Sequence, residues 1–408
     1  MDRVTIELAS QRLLANLTPI DVASCPLAQA TGRILAADVH ADRDLPPFHR
    51  IAMDGFAVRQ ADLDQGQSTF PVVREHRAGD ALDAHLEPGT CWRVNTGAAL
   101  PEGADRVVRV EDSTTHDDGQ VELKPDPAGG GAWTNVHRQG SDGKAGELVV
   151  AKGTRIGARH INALAAVGAH TLTVYRRIRV AILSTGSELV PIDVQPQPEQ
   201  IRDSNGPTVA ALFHDPAFTV VRVDRVADHE GDLAAAVDAL LTDVDLALAI
   251  GGVSKGTRDL LPATLADAGV HVDFHGVWIR PGKPLLGGRR DNTVMLSLPG
   301  NPVSSFICAR WFASQVTRRL LGMPDEVLGT ATYTTDAKSP KAFTQFQLVD
   351  TTPTPQGRDA SPIRSEGSGD FVSMAKADGA CIIGAGEATA RAGQRYPYLP
   401  LQSIWGHD

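Results

Sequence analysis

The 408-residue chain reads as an α/β multidomain protein, with a doubly wound α/β domain flanked by β-rich regions. Three observations carry that reading. Between residues 178 and 320, short apolar strands alternate with helical segments, the rhythm of a mostly parallel, doubly wound sheet. From 44 to 150, and again over the last eighty or so residues, short apolar runs alternate with Gly, Pro and Asp, the texture of small β-rich units. The length itself asks for two to four domains at roughly 100–200 residues each.

In chain order, residues 3–17 carry Val4, Leu8, Leu13, Leu14 and Leu17 at helical spacing, and Thr18-Pro19 ends the pattern. A second helix is expected toward the end of PLAQATGRILA (26–36). The runs FPVV, CWRVNTG, RVVRVED, VELKP and ELVVAKG supply strands of the first β-rich region, and KPDPAGGGAW (124–133) reads as a flexible loop. Residues 157–175 read as a helix and then a strand. In the α/β region, strands are expected at 178–183, 218–223, 245–250, 271–279 and 293–298. Helices are expected at 204–213, opened by a Ser/Asn cap, at 229–242, up to about 268, and at 302–320. A proline-rich loop occupies 191–200. ATYTT, FTQFQLV, GACIIGA and RYPYLPL close the chain as short strands, and no repeat of 20–50 residues is evident.

Composition narrows the function classes. Apolar residues make up 42% and charged residues 22%, which excludes a mainly disordered chain. Lys+Arg 39 against Asp+Glu 49 leaves a net charge of −10, wrong for a general binder of duplex nucleic acid. A local basic pocket stays open, because net charge does not describe a site. Cys25, Cys91, Cys308 and Cys381 form no CxxC pair, so they read as reduced thiols of a cytoplasmic protein. The start MDRVTIELASQRLL lacks the basic and apolar regions of a signal peptide, and no stretch nears the roughly 20 apolar residues of a membrane span.

Ligands of open α/β sheets bind outside the carboxyl ends of the strands. Four unusual loops fall there: Ser184-Thr185-Gly186-Ser187-Glu188, Gly251-Gly252-Val253-Ser254-Lys255-Gly256-Thr257-Arg258-Asp259, Arg280-Pro281-Gly282-Lys283-Pro284 and Pro299-Gly300-Asn301-Pro302-Val303-Ser304-Ser305. Glycine and small hydroxyl residues let backbone N–H groups approach an oxyanion. STG alone reads equally as a turn, and Asp259 and Asp228 read equally as caps of the helices at 260 and 229. Four such loops on one rim point instead to an anionic-ligand cleft. Its spacing is not that of GxxxxGK[ST], so no P-loop is assigned. The cleft has two electrostatic faces. Arg280, Lys283, Lys255 and Arg258 suit a phosphate or other oxyanion, while Glu188, Asp228 and Asp259 suit Mg²⁺.

The first β-rich region has its own conspicuous segments. These are LPPFHRIAMDGFAVR (45–59), VNTGAALPEGADRVV (94–108) and NVHRQGSDG (135–143). Each taken singly reads as a polar β-domain loop.

MDGFAV, VNTGAALPEGADRVV, VHRQGSD, ILSTGSELV, IRDSN, AIGGVSKGTRD, RPGKP and SLPGNPVSS occur in that order, from Met53 to Ser305. Together they resemble the molybdopterin molybdenumtransferase (MoeA) family, which includes the gephyrin E domain. The resemblance implies four regions: an elongated N-terminal linker region (1–44 and 148–176), an inserted β-rich domain (45–147), a doubly wound molybdopterin-binding α/β domain (177–325) and a C-terminal β-barrel-like domain (326–408). It implies a homodimer whose active site is shared between subunits, and the molybdopterin adenylyltransferase as a further partner. It implies neither nucleic acid nor membrane as partner. The reaction it implies is Mg²⁺-dependent insertion of molybdate into adenylated molybdopterin with release of AMP. On that pattern Asp54, Thr96, Asp142, Glu188, Asp228 and Asp259 are catalytic, with Glu188, Asp228 and Asp259 as metal ligands. Ser184, Thr185, Gly186, Gly251, Gly252, Ser254, Lys255, Arg280, Lys283, Pro299, Pro302, Ser304 and Ser368 bind substrate or oxyanion.

The chain departs from the family pattern at three places. His137 stands where arginine is common, with Arg138 beside it; Arg280 stands where lysine is common. KAFTQFQLV (341–349) offers Lys341 and no arginine. Two other functions remain open: adenylylation of molybdopterin from ATP, and a non-enzymatic gephyrin-like scaffold. The β-rich insertion and C-terminal domain speak against the first, and the retained acidic positions against the second.

Overall fold

Residues 3–124, 130–253 and 260–406 are described in the computed structural model. They divide into two units. The larger comprises residues 1–37, 152–158 and 171–408, and the smaller 38–151 and 159–170.

The larger unit begins with α1 (Ile6–Leu14), which buries Ile6, Ala9 and Leu13. The Thr5 hydroxyl caps it by accepting the Leu8 amide at 3.2 Å, and at the other end the Arg289 guanidinium donates to the Ala15 and Arg12 carbonyls. The helix expected near the end of PLAQATGRILA does not form. Only a three-residue 3-10 turn, Leu27–Gln29, is present. Leu35 instead bridges to Val174, and residues 22–26 pair with 171–175, so the segment is committed to extended pairing.

The α/β part contains β1 (Ile178–Thr185), α2 (Asn205–Ala211), β2 (Phe218–Val226), α3 (Glu230–Leu240), β3 (Leu246–Ile250), α4 (Leu261–Asp267), β4 (His271–His275), β5 (Leu286–Arg290) and β6 (Thr293–Leu298). The sheet order is β2-β1-β3-β6-β5-β4, parallel over the first four strands and antiparallel at β5 and β4. Strand residues alternate between two cores, as a period of two requires. Ile178, Val180 and Ile182 join Leu246, Leu248 and Ile250 on one face, packed with Val209 and Phe213. Ala181, Leu183, Ala247 and Ala249 face Leu233, Val237, Leu240 and Leu265 on the other. HVDFHGVWI is not one strand: Gly276 takes a φ of +95° after β4, and Ile279–Arg280 pairs with a different sheet. After β6 come α5 (Pro302–Cys308), a π segment (Ala309–Ala313) and α6 (Ser314–Leu320), so the helix expected at 302–320 is interrupted. The buried Arg310 within the π segment donates to the Pro400 carbonyl at 3.0 Å and pairs with Glu326.

β7 (Gly329–Tyr333), β8 (Thr344–Thr354), β9 (Gly357–Pro362), β10 (Gly379–Ile383) and β11 (Arg395–Pro400) close into a five-stranded barrel. The ring runs β8-β9-β7-β11-β10 and returns to β8. Closure removes the exposed edges that short strands otherwise leave. Sequence reading had missed β9 and the short α7 (Phe371–Lys376).

The smaller unit carries a six-stranded mixed sheet, in the order Arg106–Arg109, Gly55–Val58, Cys91–Val94, Thr69–His76, Gln120–Leu123 and Ser113–Thr115. Phe56 and Val58 face one core while Ala57 faces another beneath Trp92 and Val94. Among the described residues, no helix is long and apolar enough to cross a membrane.

Candidate functional site

Four loops converge at the carboxyl ends of β1, β2, β3 and β6 around a cavity of about 540 Å³. Ser184, Thr185, Gly186 and Glu188 come from the end of β1, Asp228 follows β2, Gly251 and Gly252 follow β3, and Pro299 and Pro302 follow β6. Hydrogen bonds hold these loops against one another. The Gly186 amide donates to the Val226 carbonyl at 3.1 Å, the Asp228 amide to the Ser187 hydroxyl at 3.1 Å, and the Gly251 amide to the Leu298 carbonyl at 3.0 Å. Gly251 has a φ of +93°, and a Cβ there would stand 2.6 Å from the Thr185 carbonyl oxygen, so the close approach of β1 and β3 needs glycine. Glu188 and Asp228 are exposed to the cavity, whereas Ser184 and Thr185 are buried beneath it. Asp228 does not cap α3: that position belongs to His229, which makes no side-chain cap bond.

Asp203 is a cavity residue that sequence reading missed. It is buried, and its carboxylate accepts the Gly206 amide at 3.0 Å, so it, and not the Ser204 hydroxyl, satisfies the start of α2. Asn205 was missed as well; its side-chain amide donates to the Gly300 carbonyl at 2.6 Å and ties α2 to the loop after β6.

Arg280, Lys283, Ser304 and Ser368 line a second cavity of about 900 Å³. It shares Pro284, Pro299 and Asn301 with the first. The single cleft expected from the sequence is therefore two adjoining chambers, one richer in carboxylates (Glu188, Asp203 and Asp228 against Arg202) and one richer in cations, with Asp336 as its acid among the described lining residues. The basic chamber has a barrel side. Arg280 lies in register with Gln345 of β8, and Lys338, Gln347 and Arg364 also line the cavity. Gly282 has no room for a side chain, because Cys308 Sγ packs against it, and burial pushes the Cys308 thiol up. Lys341, the cation singled out in KAFTQFQLV, is exposed and does not line this cavity. Ser254, Lys255, Arg258 and Asp259 lie outside the described residues.

In the smaller unit the three conspicuous segments meet. The Ala52 amide donates to the Asn135 carbonyl at 2.9 Å, the Gly97 amide to the Ile51 carbonyl at 2.9 Å, and the Asp142 amide to the Leu45 carbonyl at 2.9 Å. Asp54 Oδ1 accepts both the Thr96 amide, at 2.6 Å, and the Thr96 hydroxyl, at 2.8 Å. Those two bonds, the backbone one first, hold the Asp54 carboxyl below the usual carboxylate range. Gly55 is required beside it, since a Cβ would strike the Val108 carbonyl oxygen. Asp142 is exposed and accepts from the Ser141 hydroxyl at 3.1 Å. His137 is exposed, and Arg138 stacks on Trp133 with its guanidinium carbon 4.7 Å from the ring centre.

These chambers fall on stretches shared with known proteins. Residues 4–168 match the MoeA N-terminal region (domains I and II), 181–319 a probable molybdopterin binding domain, and 330–401 the MoeA C-terminal region (domain IV). The molybdopterin molybdenumtransferase of Synechocystis sp. is 31% identical over 371 residues, covering 90% of this chain and 92% of that one. Molybdopterin molybdenumtransferase 2 of Mycobacterium tuberculosis is 34% identical, covering 83% and 85%. The crystal structure of a molybdopterin biosynthesis MoeA protein from Pyrococcus horikoshii superposes with a TM-score of 0.81 at 27% identity, covering 98% of this chain and 100% of that one.

Proposed function

The chain belongs to the MoeA family, and from that premise we propose that it is a molybdopterin molybdenumtransferase of molybdenum cofactor biosynthesis. We propose that it takes adenylated molybdopterin and molybdate and releases AMP. The observation that carries this reading is the pair of adjoining chambers on one sheet rim, one richer in carboxylates and the other in cations, joined at Pro284, Pro299 and Asn301. Both ligands are anions: the carboxylate chamber suits the phosphate groups only with a divalent cation between them, whereas the cationic chamber suits the tetrahedral dianion directly, and the two share a wall.

The donors suit Mg²⁺. Among the described residues no cluster of three metal-ligating side chains is present, but Mg²⁺ is commonly held by one or two carboxylates with phosphate oxygens and water. Glu188 and Asp228 would hold it. When bound it would neutralise charge on the phosphate oxygens. The remaining work falls to this chain's own groups. Amides of the loops after β1 and β3, other than those of Gly186 and Gly251, which already donate to Val226 and Leu298, orient the phosphate region, Arg280 and Lys283 draw in the oxyanion, and the closely packed walls at Thr185 and Pro299 limit water. Asp54, kept ionised by Thr96, acts as a fixed negative charge or proton acceptor. We further propose a homodimer whose active site draws on both subunits.

The experiment is direct. Purified protein, adenylated molybdopterin, molybdate and Mg²⁺ are expected to yield AMP and active cofactor. No AMP, with a MoeA relative working in parallel, rejects the reading. Mixing inactive Asp54→Asn and Glu188→Gln chains tests the shared site: recovered activity in the mixed dimer supports it, and none rejects it.

A further inference from the structure

Asp203 stands on the floor of the acidic chamber with half of its carboxylate in use. The residue is 7% exposed and lines the cavity. Its Oδ1 accepts the Gly206 amide at 3.0 Å. Among the described residues nothing donates to Oδ2, and no cation pairs with it. Arg202, the cation on the described lining, is turned elsewhere: its Nε donates to the Val194 carbonyl at 3.1 Å and its Nη2 to Gln195 Oε1 at 3.4 Å.

A second unmatched group lies beside it. Ser184 Oγ is enclosed and has no partner among the described residues. A Cβ on Gly206 would stand 2.9 Å from Asp203 Oδ2 and 3.0 Å from Ser184 Oγ, so the two oxygens flank one spot that glycine leaves clear. Buried polar groups are matched as a rule, and two neighbouring exceptions on the floor of one cavity mark a place that a ligand completes. That ligand group is not an oxyanion, which the carboxylate repels. Nor is it Mg²⁺, which keeps several waters and needs open carboxylates such as Glu188 and Asp228, whereas Asp203 is recessed. What remains is a hydrogen-bond donor.

The substrate proposed above offers three kinds of donor. The pterin edge presents an amino group beside a ring N–H and asks for two parallel acceptors, whereas Asp203 has one free oxygen. The adenine amino group sits beside ring nitrogens that accept, and an amide side chain, with a donor and an acceptor, serves it better. A ribose hydroxyl asks for a single acceptor, the use that dinucleotide-binding folds make of an acidic residue. The sugar is also bonded next to the phosphate, and Ser184, beside Asp203, belongs to the same strand end as Gly186 and Glu188.

We propose that Asp203 is the specificity-determining residue for the ribose of the adenylate: its Oδ2 accepts the hydrogen of the 2′- or 3′-hydroxyl, while Oδ1 stays on the Gly206 amide. The assignment rests on the function proposed above. It makes the acidic chamber selective for a ribonucleotide over its deoxy counterpart.

The test is calorimetric titration of the full chain, with Mg²⁺ present, using AMP, 2′-deoxy-AMP, 3′-deoxy-AMP and 6-hydroxymethylpterin. One of the two deoxy nucleotides is expected to bind the parent chain roughly 10- to 100-fold more weakly than AMP, the effect of losing a hydrogen bond to a charged group. In Asp203→Ser the hydroxyl keeps an acceptor for the Gly206 amide, and the free oxygen is gone. There the three nucleotides are expected to bind within about twofold of one another, and comparing ligands on one protein cancels any change in its stability. A deoxy penalty of the same size in Asp203→Ser overturns the assignment. So does a variant that loses only 6-hydroxymethylpterin, because the carboxylate then belongs to the pterin. Absence of AMP binding by the parent chain rejects the proposed function and this assignment with it, whereas AMP binding without a deoxy penalty rejects the assignment alone.

Discussion

Asn301 Nδ2 donates to Ser368 Oγ at 2.8 Å, and the Val303 amide donates to the Ser368 carbonyl at 3.1 Å. The first residue follows the sheet's β6 and the second lies in a loop of the barrel part. Asn301 also lines both chambers, so this bond fixes the rim where they adjoin.

Asn301→Ala removes the side-chain donor and leaves the Val303 bond. The expected stability loss is about 0.5–1.5 kcal/mol, the net worth of one hydrogen bond. Substrate KM should rise more than kcat falls, because the bond positions a wall. Urea unfolding and steady-state AMP release measure the two effects, and an unchanged KM would reject the positioning role.

Gly251→Ala places a methyl group against the Thr185 carbonyl in a left-handed backbone. It should cost about 1–3 kcal/mol and disorder the substrate loop. Gly231→Ala is the control, since Gly231 lies in α3 with open space around it and alanine there should stabilise by about 0.5–1 kcal/mol. Denaturant midpoints should move in opposite directions.

Asp370 accepts the Ser373 hydroxyl at 2.6 Å and the Ser373 amide at 3.0 Å, with the Glu366 amide at 3.2 Å, and these bonds draw its carboxyl down to about 2. A carboxyl whose folded pKa is depressed stabilises the fold above its unfolded pKa of about 3.9 and ceases to do so as pH falls toward the folded one. The loop carrying Ser368 should therefore loosen between pH 4 and pH 2, and Asp370→Asn should already show part of that loosening at pH 7. Amide exchange at residues 366–373 reads it out. Asp54 has the same sign, and Thr96→Val should raise its pKa by carbon-13 carboxyl titration, only in part because the Thr96 amide bond remains.

Glu188→Gln keeps the shape of an exposed side chain and removes its charge. Loss of a carboxylate worth several kcal/mol to the reaction predicts a fall in Mg²⁺-dependent AMP release on the order of 100-fold or more. Unfolding midpoints should be unchanged. Activity near that of the parent chain would remove Glu188 from the machinery.

The α/β part was legible because its signals are local. DLALAI and TVMLSL are continuous apolar runs, which buried parallel strands require, and each ends in a glycine or proline loop. The helices expected at 204–213 and 229–242 followed from periodicity, although the expected caps do not form: Asp203 rather than Ser204 satisfies the first, and Asp228 does not cap the second. PLAQATGRILA misled because its helical propensity lost to extended pairing, as tertiary contacts routinely override weak local preference. HVDFHGVWI misled for a related reason: one apolar run serves two sheets, broken at a glycine whose positive φ the sequence does not disclose.

The sequence by itself determined the chemistry on offer: which loops carry glycine, carboxylate or cation, and that they fall after strands, where side chains and amides are free to meet a ligand. It also determined the family resemblance, because ordered motifs survive in linear form. Only the tertiary structure decided how the groups are sorted. Asp203 reads as part of IRDSN until it is seen buried beneath the acidic chamber, and Lys338 and Arg364 carry no motif at all. They reach the basic chamber because the barrel closes beside Arg280, with Gln345 in register against it. Distance along the chain says nothing about such a meeting; hydrogen-bonded register between strands and the packing of buried side chains set it.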